Sequence, residues 1–189
     1  MSRRATLLTR AGLPVLLALM SLPLVATERS ASLYQLHEKL LDQDGKAIDL
    51  DVYRGKKVLV TMFYGSCPAT CPLIIDTLRA IEKKVDDAGR QDLRVLLVSL
   101  DSERDTPEAL RKLADSRRID TSRWTLTQAD ATAVRRIAAA LSIQYKKLPD
   151  GQFSHSTIIS VLDAGGKILV QSAELGHADP EILEAISAK

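Results

Sequence analysis

Both cysteines of this 189-residue chain fall in one short stretch, Tyr64-Gly65-Ser66-Cys67-Pro68-Ala69-Thr70-Cys71-Pro72. The run before them, 58–63, is apolar and partly β-branched, which predicts a buried strand. After them Leu73, Ile74, Leu78, Ile81 and Val85 recur at helical spacing. A strand, a loop carrying two thiols and a helix in succession place the chemistry at one edge of an α/β sheet.

The prolines sharpen the local geometry. Proline is at home in the first helical turn and costly further in. Pro68 and Pro72 cannot both open one helix, so the spacing predicts a helix over 72–88, with Cys71 as its N-cap and Cys67 in the loop. Both cysteines precede a proline, which disfavours helical backbone angles at each. Placed at the positive end of a helix, Cys71 is expected to have a lowered pKa and to favour the thiolate.

Several uses of such a pair remain open. A structural disulfide would close a loop of about 5 residues, worth roughly 2 kcal/mol in the chain-entropy model. Zinc wants four ligands, and two cysteines with three scattered histidines do not supply a usual pattern. Dithiol–disulfide chemistry and a soft metal such as Cu(I), which prefers thiolates, are left, and spacing does not separate them.

Residues 1–26 read as a leader. Arg3, Arg4 and Arg10 precede an apolar run over 11–26, as in an export signal, cleaved or retained as a membrane anchor. Residues 27–32 form a short linker, and 33–189 is long enough for one domain with a substantial core. The full chain has 26 basic and 24 acidic residues; removing 1–26 takes out three arginines and no acid, leaving 23 against 24. The remaining domain is near −1 and carries no electrostatic footprint for nucleic acid. Export to the periplasm, soluble or anchored to the inner membrane, also matters for the thiols, which an oxidising compartment tends to pair.

Along 33–189 the pattern predicts an opening β-hairpin (33–41 and 46–50), the 58–64 strand, the cysteine loop and its helix. A doubly buried strand over 93–100 follows. A helix opened by Thr106-Pro107 runs to about Arg118, then a short strand covers 124–127. Asp130 caps a helix to about Leu141. A closing hairpin (157–163 and 168–171) and a last helix from Asp179-Pro180 complete the order. This is an α/β, thioredoxin-like plan with an extra N-terminal β-hairpin. Chemistry in such sheets gathers at the carboxyl ends of strands: the cysteine loop, 101–105 and 149–156.

With these parts in place the chain resembles the Sco/SenC family of copper-binding cytochrome c oxidase assembly proteins, over roughly 33–189. The strand 58–64 leading into Cys67-Pro68-Ala69-Thr70-Cys71-Pro72 is similar to the family's strand and Cys-x-x-x-Cys-Pro loop. Val98-Ser99-Leu100-Asp101-Ser102-Glu103-Arg104-Asp105-Thr106-Pro107 resembles its second signature. Residues 140–147 resemble the segment ahead of its distal loop, and His155-Ser156-Thr157-Ile158-Ile159 stands where the family places a metal-binding histidine. The resemblance implies one copper, Cu(I) or Cu(II), held by Cys67, Cys71 and His155. It implies a metallochaperone whose client is the oxidase copper subunit or another cuproprotein, with a copper donor or thiol reductant as further partner. Where family members commonly carry acids, this chain has Ala69, Leu73 and Ser154.

The alternative is a thiol-disulfide oxidoreductase, with Cys67 attacking and Cys71 resolving. A peroxiredoxin-like peroxidase fits less well, because the position three before the cysteine, where it has threonine, is Tyr64. His37 and His177 read as structural or surface residues. Asp101, Glu103, Arg104 and Asp105 read as turn, cap and surface-pair chemistry, or as a polar wall beside the cysteine loop. Arg111, Lys112, Arg117, Arg118 and Arg123 read as a solvated helix face, and Tyr64 and Phe153 as core or as a screen over the site.

Overall fold

The computed structural model describes residues 32–67, 70–89 and 92–188. The leader and most of the linker lie outside the described residues. Within them, no helix is long and apolar enough to cross a membrane.

The strands are β1 (Lys39–Asp42), β2 (Ala47–Asp49), β3 (Val58–Phe63), β4 (Arg94–Ser99), β5 (Trp124–Gln128), β6 (Tyr145–Lys147), β7 (Phe153–His155), β8 (Ile159–Leu162) and β9 (Ile168–Ser172). Seven of them form one sheet in the order β2-β1-β5-β4-β3-β8-β9, and β6 and β7 pair separately. β3, β4 and β5 are parallel, with Val60 opposite Leu96 and Leu97 opposite Leu126. The hairpins flank them: β1 runs antiparallel to β5, and β8 antiparallel to β3. Every residue of β3 is buried, as are Val95 to Ser99 of β4, which explains why both read as unbroken apolar runs.

The helices are α1 (Thr70–Asp87), α2 (Pro107–Ser116), α3 (Ala131–Ala140) and α4 (Pro180–Ser187). Their starts follow the caps in the sequence. Thr106 Oγ1 accepts the Ala109 N–H at 3.3 Å, and Asp130 accepts those of Thr132 and Ala133 at 2.7 and 2.9 Å. Asp179 accepts the Glu181 N–H at 2.8 Å, ahead of Pro180. α2 ends two residues before the expected Arg118. Arg118 turns left-handed (φ 52°), and the Ile119 N–H reaches back to the Ala114 carbonyl at 2.8 Å, closing the last turn.

Three expectations are corrected. Residues Leu33–Leu36 form a 3-10 turn rather than the first half of a strand, because Ser32 Oγ accepts the Tyr34 N–H and Tyr34 is buried beneath it. Residues 153–155, read as part of the 149–156 loop, form a strand that pairs with 145–147 in the β6–β7 hairpin. Arg123 is not solvated: it is 17% exposed and paired with Glu82 and Asp86.

Candidate metal centre

The cysteine site sits where β3 gives way to α1. The helix begins at Thr70, so Cys71 and Pro72 lie inside its first turn and Cys71 is not the N-cap. The first four N–H groups of a helix have no intrahelical acceptor, so a proline at the third position sacrifices nothing. One of those free donors, the N–H of Cys71, is aimed at Cys67 Sγ, 3.4 Å away. Neither Cys67 nor Cys71 is in a disulfide. Cys67 is half-buried in the loop, its N–H held by the Tyr64 carbonyl at 3.2 Å.

Cys71 is buried, with 5% exposure. Burial pushes its thiol well above the ordinary range; a backbone hydrogen bond at Tyr64 opposes this, while neighbouring Cys67 and Asp105 add to it. The expectation of a lowered pKa at Cys71 is therefore reversed. A charged sulfur costs more in the apolar packing than the helix terminus returns.

His155 ends β7, on the hairpin that stands apart from the main sheet. Its Nδ1 lies 3.1 Å from the Ser156 carbonyl; with the proton on Nδ1 this is a donated hydrogen bond, and Nε2 keeps its lone pair. Burial lowers the imidazole pKa, against the pull of that carbonyl, so the neutral ring is favoured. The ring borders an open groove with Gln144, Tyr145 and Ser154.

Tyr64 connects the two halves. Its ring meets His155 edge-on, with centroids 6.0 Å apart, and packs against Phe153 at 5.3 Å. Its hydroxyl donates to Gln152 Oε1 at 2.9 Å, and its side chain also bonds Cys67. Burial, with that contact, raises its phenol pKa. Cys67 and Cys71 are thus brought together, and His155 reaches the same end of the sheet through Tyr64. Among the described residues, no three His, Cys, Asp or Glu side chains stand close enough to hold a metal ion.

A polar support lies below the loop, and the sequence reading undervalued it. Asp105 Oδ2 accepts the Gly65 N–H at 2.8 Å and the Ser99 hydroxyl at 2.5 Å. Asp101 and Asp105 are 1% and 4% exposed, so they are interior groups, not surface pairs. Burial is the main cause of the raised pKa of Asp105, against the pull of Ser99 and Gly65. The readable signal was a cluster of polar residues directly after a strand buried on both faces. His37 and His177 are exposed, as expected.

Comparisons with known proteins agree with this architecture. The sequence model of the SCO1/SenC family matches residues 26–188. A SCO1 protein homolog of Bacillus subtilis is 27% identical over 131 residues, covering 68% of this chain and 67% of that one. The copper-bound structure of Bradyrhizobium japonicum ScoI superposes with a TM-score of 0.59 at 25% identity, over 79% of this chain and 93% of the other. Copper-bound Arabidopsis thaliana ScoI has the same fold, with a TM-score of 0.69 at 19% identity over 79% and 93%. With the family match running through both the dithiol loop and the histidine hairpin, the chain belongs to the SCO1/SenC family.

Proposed function

We propose that this chain carries copper on Cys67, Cys71 and His155 and delivers it to a cuproprotein client, the copper subunit of cytochrome c oxidase or a similar acceptor. The observation that carries this reading is the adjacency of two cysteines outside any disulfide, the sulfur of Cys67 receiving the N–H of Cys71, in a site that also touches His155 through Tyr64. The donor set suits the ion. Two thiolates bind Cu(I) as soft ligands, and an imidazole with a free Nε2 completes three-coordination and also tolerates Cu(II). Copper-bound relatives with this fold support the choice of metal. Three ligands at a surface loop leave room for a client's own thiolates to take the ion by exchange. Exposed Leu73, beside the site in the first turn of α1, offers that client an apolar contact.

Residues 1–26 would direct export to the periplasm or tether the domain, 33–189, to the inner membrane. A copper donor or a thiol reductant would load the site there.

A second reading is favoured by the unequal exposure of the thiols. Thiolate Cys67 would attack a client disulfide and form a mixed disulfide, releasing one client thiolate. Cys71 would then attack Cys67 Sγ, leaving a Cys67–Cys71 disulfide and the second client thiol, with two electrons passed to the client.

Anaerobic Cu(I) titration of reduced wild type and His155→Ala separates the readings. One tight copper per chain, weakened by the substitution while disulfide reduction persists, supports delivery. No specific copper, with reductase activity intact, overturns it in favour of thiol exchange.

A further inference from the structure

Among the described residues, β6 and β7 share no strand pairing with the main sheet, so side-chain contacts fix the hairpin that carries His155 at the dithiol end of the sheet. The loop after β4 supplies two of them. Glu103 Oε2 pairs with Lys147 Nζ of β6 at 2.7 Å. Arg104 does more. Its Nε pairs with the buried carboxylate of Asp101, and its Nη2 donates to the Gly151 carbonyl in the turn of the hairpin. Asp101 is itself fixed, because its backbone N–H donates to Ser99 Oγ at 2.9 Å, and Ser99 in turn bonds the Asp105 carboxylate that holds Gly65.

One polar chain therefore runs from the cysteine loop, through Asp105, Ser99, Asp101 and Arg104, to the turn that precedes His155. The turn is shaped to receive the guanidinium. Gly151 has φ 81°, and a Cβ there would come within 3.4 Å of Arg104 Nη1. The fork of an arginine can grip a carboxylate and a carbonyl in one plane, and a lysine cannot. The next residue, Gln152, is held by Tyr64, so both central contacts of the turn come from residues at the ends of β3 and β4.

Resting on the copper reading above, we infer that Arg104 is a positioning residue for His155, bracing the β6–β7 turn against the buried Asp101 so that the imidazole is kept at the dithiol end of the sheet, within reach of the thiols. The bonds of the Arg104 guanidinium go to Asp101 and Gly151, so it acts on His155 through the hairpin. Residues that orient a ligand without binding metal commonly matter about 10–100-fold in affinity.

The test is a double-mutant cycle on copper affinity in the full-length chain: wild type, Arg104→Ala, His155→Ala and the double variant, by Cu(I) competition. Arg104→Ala is expected to weaken Cu(I) binding about tenfold when His155 is present and to change nothing when it is absent. Amide exchange of Leu148 and Gly151 in the metal-free protein should quicken in Arg104→Ala, while alkylation of Cys67 keeps its rate. Glu103→Ala, which breaks only an exposed pair, should leave both readouts near wild type. Equal loss of affinity with and without His155, or unchanged hairpin exchange, overturns the inference. If the wild type binds no copper, the delivery reading fails instead, and the exchange measurement still decides whether Arg104 braces the hairpin.

Discussion

The backbone N–H of Cys71 donates to the sulfur of Cys67 across 3.4 Å, so the first turn that buries one thiol presents a donor to the other. The pair is chemically unequal. Cys67 is half-buried at the loop, whereas Cys71 lies in the core with its thiol pushed up by burial. Limiting iodoacetamide should therefore modify Cys67 first. At pH 8 Cys67→Ser, which leaves only Cys71, should alkylate at least about tenfold more slowly than Cys71→Ser, since the thiolate is the reactive form. Equal rates would contradict the asymmetry.

The buried Cys71 also ties stability to alkaline pH. Its folded pKa lies above its unfolded value, so above about pH 8.5 the unfolded chain gives up a proton that the native state keeps. The contribution is whole below that pH and declines as pH rises toward the folded pKa. Urea unfolding of the reduced protein between pH 9 and 10 should lose up to about 1.4 kcal/mol per pH unit from this group. Cys71→Ala should remove that slope. A slope unchanged by the substitution would assign it elsewhere. Tyr34 and Tyr53, raised to about 12 by burial, add their own loss at higher pH.

His155 works in the opposite direction. Burial lowers its folded pKa below the ordinary 6.5, so the native state favours the neutral ring. That stability is present above pH 6.5 and is lost as pH falls through the folded pKa. The proton NMR titration of the His155 ring should give a midpoint below 6.5. A midpoint at or above 6.5 would mean that the ring is solvated or paired with an acid.

Asp105 joins Gly65 to Ser99 inside the protein. Asp105→Ala would leave the Gly65 N–H and the Ser99 hydroxyl without that acceptor, and unpaired buried groups cost about 1–3 kcal/mol. Unfolding by urea should show a loss of that size and faster amide exchange at Gly65. Asp105→Asn keeps one acceptor oxygen and should lose less. A variant as stable as wild type would show that water replaces the carboxylate freely.

The central sheet was legible because β3 and β4 are buried on both faces and appear as unbroken apolar runs. The helix starts were legible because Thr106, Asp130 and Asp179 cap through side chains at fixed offsets. The β6–β7 hairpin was missed although a signal was present. Asp150-Gly151 is a turn pair, and Phe153, Ser154 and His155 alternate between half-buried and exposed. Three-residue strands give too short a pattern to stand out from loop. The state of Cys71 was misread for a different reason. Helix-end electrostatics can be read from spacing, but desolvation depends on how Cys71 packs within the core cluster. The tie between Asp105 and Gly65 joins residues forty positions apart, and only the parallel pairing of β3 with β4 brings them together.

X-ray absorption at the copper edge of the Cu(I)-loaded reduced chain tests the ligand set most directly. Two sulfur neighbours and one nitrogen are expected in the wild type, with the nitrogen lost in His155→Ala and both sulfurs kept. Copper surrounded by sulfur alone, with the same spectrum in both proteins, would contradict a site built from Cys67, Cys71 and His155.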